Sequence, residues 1–204
     1  MRSRCWCSAR PAATGANVSG EPLGERQRMD LFLVVLGGRI KGCHVELHDV
    51  RWVVGDCFDD TIPDLRRQWI GQRRGVHVDS YRRITRVDGH RVEVLEEPDP
   101  RQSGTPKLWF VNLGAYDPND MAERHRFGLL VASSPQAAKA RAKRLWLRGL
   151  DQVHKDDLHV AAPPEELDDL LPIEGNGRWR LKLTPLDHGE DPPEKPDWYG
   201  YRLL

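Results

Sequence analysis

Leu31-Phe32-Leu33-Val34-Val35-Leu36-Gly37-Gly38 and Leu108-Trp109-Phe110-Val111-Asn112-Leu113-Gly114-Ala115 are one motif written twice, 77 residues apart. Each is a short, nearly continuous apolar run ended by glycine, the pattern of a buried strand. Held at that shift, the chain aligns with itself without a gap from Leu31 over Leu108 to Asp79 over Asp156. Twelve of those 49 positions are identical, where ordinary composition gives roughly three. The matches include Trp69/Trp146, His48/His125 and His77/His154, all rare residue types. A tandem duplication follows.

Working outward, residues 50–54 and 129–131 are second strands. Ser134 before Pro135 predicts a helix start, the serine capping free N–H groups and the proline filling the first turn. The helix is expected over 137–147, with Ala138, Ala142, Leu145 and Trp146 on one face. The first copy places Asp59, Asp60 and Thr61 before Pro63, and Ile62, Leu65 and Trp69 form a shorter stripe. Strands 76–84 and 91–95 follow, joined through the turn signal Asp88-Gly89. Residues 180–183 resemble 91–95, and Asn176-Gly177 repeats the turn. The second copy needs about 12 extra residues, assigned to 161–171.

The fold class is therefore α+β: two pseudo-symmetric β-β-α-β-β repeats sharing one core, mostly antiparallel sheets with one main helix per repeat. A unit of about 70 residues with one helix is marginal alone. Two units about a pseudo-two-fold axis complete one interior, and Trp69 and Trp146 are its expected centre. The boundaries are 29–104 for the first repeat and 105–204 for the second, which ends in a Pro-rich tail. Residues 1–28 read as a disordered leader or a non-native extension ahead of Met29. Trp198, Tyr199 and Tyr201 are expected to dock as an edge strand.

The chain has 204 residues, and 31 Lys+Arg balance 31 Asp+Glu. A 39% hydrophobic content with 18 Gly excludes wholesale disorder. No run approaches the length of a membrane helix, and no secretory pattern opens the chain. A cytoplasmic location is expected, with Cys5, Cys7, Cys43 and Cys57 as reduced thiols. Residues 66–91 carry a net charge of +6 and residues 163–197 a net −6. With neither an aromatic RNA-binding pattern nor a helix-turn-helix, the basic stretch reads as a solvated face, and nucleic acid is not an expected partner.

Leu31 to Gly38, Glu46-Leu47-His48-Asp49-Val50, Trp69-Ile70-Gly71, His77-Val78-Asp79 and Phe110-Val111-Asn112-Leu113-Gly114-Ala115-Tyr116-Asp117-Pro118 together resemble a bacterial family, domain of unknown function 1543. The resemblance covers about 29–156 and, more loosely, the tail. It implies a domain carried in one or two copies by small soluble proteins. It brings no established activity, so no catalytic residue is carried over.

Phosphate-loop, dinucleotide, nucleophile-elbow and zinc-protease signatures are absent. What both copies keep are polar pairs two residues apart: Glu46 with His48, His77 with Asp79, Glu123 with His125, and His154 with Asp156. In an extended segment such pairs share a face, within reach of a common metal ion or proton. A pseudo-two-fold could unite two His and two carboxylates. The plainer reading is that the histidines bond backbone carbonyls and the aspartates fix turns. These eight are ligand-binding candidates; no cofactor is called for, and neither a metal nor a catalytic residue is assigned. The leading reading is a non-catalytic binding or interaction module for an unknown small molecule or protein. The alternative is an enzyme or metal-binding protein using the paired Glu/His and His/Asp residues.

Overall fold

A computed structural model describes residues 29–96, 106–115, 119, 121–122, 124–146, 170–175, 178–187 and 191–204. The expected leader and the Asn176-Gly177 turn lie outside them. In chain order the elements are β1 (Asp30–Gly38), β2 (Leu47–Gly55), a 3-10 turn (Phe58–Thr61), α1 (Ile62–Gln68), β3 (His77–Ile84), β4 (Arg86–Val87) and β5 (His90–Leu95). They continue with β6 (Lys107–Ala115), β7 (Arg124–Ala132), α2 (Pro135–Trp146), β8 (Leu170–Pro172), β9 (Arg180–Pro185) and β10 (Trp198–Leu203). Among the described residues the pairing is antiparallel throughout and there are two α-helices, so the class is α+β. Two compact units divide the chain, one ending at Thr85 and joined by Pro192–Leu204, the other Arg86–Asp191. Among the described residues no helix is long and apolar enough to cross a membrane.

The first unit holds a four-stranded sheet, β10-β3-β1-β2. Strand periodicity sends Phe32, Val34 and Leu36 of β1 to one face, where they pack with Val53, Phe58, Leu65, Trp69, Val76 and Val78. Val34, Leu36 and Leu65 are 0% exposed, and each such side chain stabilises the fold by about 1.5–3 kcal/mol through burial. The 3-10 turn that leads into α1 is held by its own side chains: Thr61 Oγ1 donates to the Phe58 carbonyl at 2.7 Å, and Asp60 accepts the Cys57 N–H at 3.2 Å. Trp69 ends α1 and lies against Gly38, where a Cβ would stand 2.6 Å from its Cζ2.

The aromatic tail docks as the sequence led one to expect. β10 forms the sheet edge beside β3, with Trp198 opposite Tyr81. Arg202 pairs with Asp59 at 2.8 Å, and the Leu204 N–H donates to the Val76 carbonyl. Tyr81 stacks on Phe58 at 3.9 Å. Burial, then the Asp197 carboxylate, push its phenol above the ordinary tyrosine value.

The second unit has two three-stranded sheets, β7-β6-β8 and β4-β5-β9. Trp109, Val111 and Leu113 of β6 pack with Leu130, Ala132, Ala138, Ala142 and Trp146. Pro135 opens α2 and Ser134 Oγ accepts the Ala137 N–H at 3.2 Å, the cap expected from the sequence. Asp88 and Gly89 both take positive φ, +51° and +70°, the primed turn that their sequence favours. The Asp88 carboxylate then accepts from the Val131 N–H at 2.7 Å and from Arg141 at 2.8 Å.

The two leading hairpins correspond residue for residue. β1 and β2 pair from Asp30 opposite Gly55 to Gly38 opposite Leu47, and β6 and β7 pair from Lys107 opposite Ala132 to Ala115 opposite Arg124. Adding 77 to the first register reproduces the second. Phe32 of β1 faces Arg83 of β3, whereas Trp109 of β6 faces Pro172 of β8. The shift at the third strand is thus 89, so the 12 extra residues are real. Their assignment to 161–171 needs one correction: Leu170 and Leu171 are strand residues in β8. They supply the apolar pair that lies along β6, opposite Val111 and Phe110, so the insertion falls earlier in the chain.

Candidate functional site

β3 departs from regular pairing at one residue. Val78 faces Leu36 and Ser80 faces Val35, which leaves Asp79 as an extra residue with no partner on β1. On its other side β10 also breaks register there, between Tyr199 opposite Ser80 and Arg202 opposite Val78. A one-residue bulge bends the strand and re-aims the side chain it carries.

Beside the bulge, Gly37 of β1 stands between His48 of β2 and His77 of β3, in one cross-strand row. Two imidazoles therefore flank a residue that has no side chain. The Asp79 carboxylate reaches both, with Oδ1 3.2 Å from His77 Nε2 and Oδ2 3.3 Å from His48 Nε2. A Cβ on Gly37 would lie 2.4 Å from His77 Nε2 and 3.1 Å from Asp79 Oδ2. Only glycine leaves this space.

His77 is 2% exposed, and the ring of Tyr201 covers it at 4.1 Å. Its Nδ1 stands 2.9 Å from the Gly75 carbonyl, which can only accept, so this nitrogen carries the hydrogen and donates. Glu46 Oε1 approaches the same nitrogen at 3.9 Å. Nε2 donates to Asp79 when the ring carries both protons, and meets it with a lone pair when the ring is neutral. His48 is about half exposed, with 54% of its side chain open to solvent. Oδ2 of Asp79 is buried without a hydrogen-bond partner: His48 Nε2 stands 3.3 Å away and makes no hydrogen bond to it.

Of the sequence candidates, Glu46, His48, His77 and Asp79 come together. His125 is exposed and stands 3.3 Å from Asn112 Nδ2, while Glu123, His154 and Asp156 lie outside the described residues. Among the described residues, the two His and two carboxylates that meet come from the first copy. The plainer reading is right for one atom, since His77 Nδ1 does bond a backbone carbonyl. Gly37, the bulge and Tyr201 were not singled out as site features. The Gly37/Gly114 match was a signal for the first; local pattern carries none for the others. Among the described residues no group of three or more His, Cys, Asp and Glu is arranged to hold a metal ion. Cys43 and Cys57 are free thiols.

The family described as Domain of Unknown Function (DUF1543) matches residues 43–94 and 120–162. The chain resembles that family in both halves. The first DUF1543 match takes in Glu46, His48, Gly75, His77 and Asp79, and the second takes in β7 and α2. The chain is also similar to the crystal structure of a protein Il1583 from Idiomarina loihiensis: 29% identity, a TM-score of 0.63, and coverage of 86% of this chain and 98% of that one. No curated protein matches it. No catalytic function comes with these likenesses.

Proposed function

We propose that the protein is a non-catalytic binding module for a small polar molecule, with Glu46, His48, His77 and Asp79 as its site. The observation that carries this reading is the bulge that sets one carboxylate between two imidazoles across Gly37. An extra residue in a strand, a glycine at mid-row and a buried histidine each weaken a sheet that regular pairing would strengthen. Such departures collect where function constrains the fold.

The site belongs to the first half of a tandem, pseudo-symmetric duplication. The shared hairpin register supports this, as does the β5–β9 ladder, where Glu93 faces Lys182, its own counterpart at a shift of 89. Glu123 and His125 are the second copy's candidates for the role of Glu46 and His48, whereas the third-strand shift of 89 takes His77 and Asp79 out of register with His154 and Asp156. A bacterial source, a cytoplasmic location and a partner other than nucleic acid belong to this proposal, supported by the family likeness and by the free thiols.

A thermal-shift screen against a metabolite library tests the reading. Hits should perturb the amide resonances of residues 37, 48 and 77–79 and lose their effect in Asp79→Asn, with circular dichroism confirming the fold. Hits that map elsewhere refute the site. The carboxylate beside His48 also favours acid–base chemistry as a second reading, and turnover of a mapped hit separates the two.

A further inference from the structure

We infer that the molecule bound there presents a protonated amine or amidine, with an N–H directed at Oδ2 of Asp79; this rests on the site proposed above. Oδ2 is buried and lacks a hydrogen-bond partner, and buried acceptors in folded proteins nearly always have a donor. The neighbouring side chains do not supply one. His77 spends Nδ1 on the Gly75 carbonyl, so at most one N–H is left for Asp79, and it lies at Oδ1. Oδ2 is left for a donor from outside.

Charge selects the donor. The cluster sets the Glu46 and Asp79 carboxylates beside two imidazoles. An anion meets repulsion there. A hydroxyl satisfies the hydrogen bond but not the charge, whereas a cationic N–H satisfies both. Tyr201, 65% exposed and 4.1 Å from the His77 ring, adds an aromatic surface to the cluster, which suits a cation again. Half-exposed His48, 3.3 Å from Oδ2, is the side chain that turns aside to admit it.

The test is a titration of the full chain with ethylammonium and guanidinium, with acetate and inorganic phosphate as opposites, followed by amide chemical shifts. Fragments this small bind on the order of millimolar at best, so the range runs to tens of millimolar. The cations should shift residues 37, 48, 78, 79 and 201 saturably while the anions leave them unmoved. Asp79→Asn should weaken the effect about tenfold or more, a discrimination of the size that a lost charged hydrogen bond gives. His44→Ala, which removes an exposed histidine outside the cluster, should retain it. The preference among probes in the unaltered chain decides by itself if a variant fails to fold. Saturable binding of acetate or phosphate at these residues, or undiminished cation binding in Asp79→Asn, overturns the inference and leaves the site standing. No probe binding there, with library hits mapping elsewhere, removes both.

Discussion

The hairpins β1–β2 and β6–β7 share a register, a core face and a partner tryptophan, yet the strands laid beside them differ. β3 runs for eight residues, carries the bulge and brings His77 and Asp79 to Gly37; of β8 the described residues show three. Phe32, Val34, Leu36, Val53 and Trp69 in one core correspond to Trp109, Val111, Leu113, Leu130 and Trp146 in the other. Duplicated sequence thus preserved the apolar framework, while the polar cluster rests on the third strand, where the copies part company. Hydrophobic periodicity tolerates few changes because each buried position costs kilocalories.

The largest test of that equivalence is removal of each tryptophan. Trp69→Ala and Trp146→Ala should each cost about 3–5 kcal/mol in urea unfolding. A loss under about 1 kcal/mol at either position would show that the two cores are not alike in kind. A finer test uses how the two rings are seated. Trp69 rests on Gly38 and Trp146 on Gly128, where an added Cβ would fall 2.6 and 2.7 Å from Cζ2. The positions corresponding at the 77-residue shift are Ala115 and Arg51, so the rings use different glycines. Gly38→Ala and Gly128→Ala should each cost about 1–3 kcal/mol by overpacking, read as a shift in midpoint at constant slope.

Smaller again is the helix start. Ser134→Ala should cost about 1 kcal/mol by losing the bond to the Ala137 N–H, whereas α1 begins with no side-chain cap to remove. The smallest effect separates the copies by pH. Tyr81 sits where, at the 89-residue shift, the second copy has Leu170, and its phenol lies above the ordinary 10.0. The folded chain keeps that proton where the unfolded chain has lost it. Its contribution is therefore full below about pH 10 and fades as pH rises through the folded value. Thermal melts should show this alkaline decline in the unaltered chain and a shallower one in Tyr81→Phe.

Much of the framework was legible because it depends on short-range rules. Alternating apolar residues, Ser134-Pro135 and Asp88-Gly89 gave the strands, the cap and the turn directly. Glu46, His48, His77 and Asp79 stood out as spaced pairs, but only cross-strand register brings His48, 31 positions from Asp79, and Gly37, 42 positions from it, to that carboxylate: His48 lies opposite Gly37, and so does His77. Leu170 and Leu171 were misplaced because three residues carry too little periodicity to distinguish a strand from the loop before it.

By itself the sequence determined the doubled hairpin, the burial of Trp69 and Trp146, the start of the second helix and the aromatic edge strand, since each follows from burial and backbone preference within a few residues; the single shared core expected of the two tryptophans is instead two clusters, one around each. Tertiary structure alone decided that Asp79 would be an unpaired bulge residue, that Gly37 would leave it room, and that Tyr201 would close over His77. Those depend on which strands become neighbours and in what register, and a pairing across a sheet leaves no trace in the spacing along one chain.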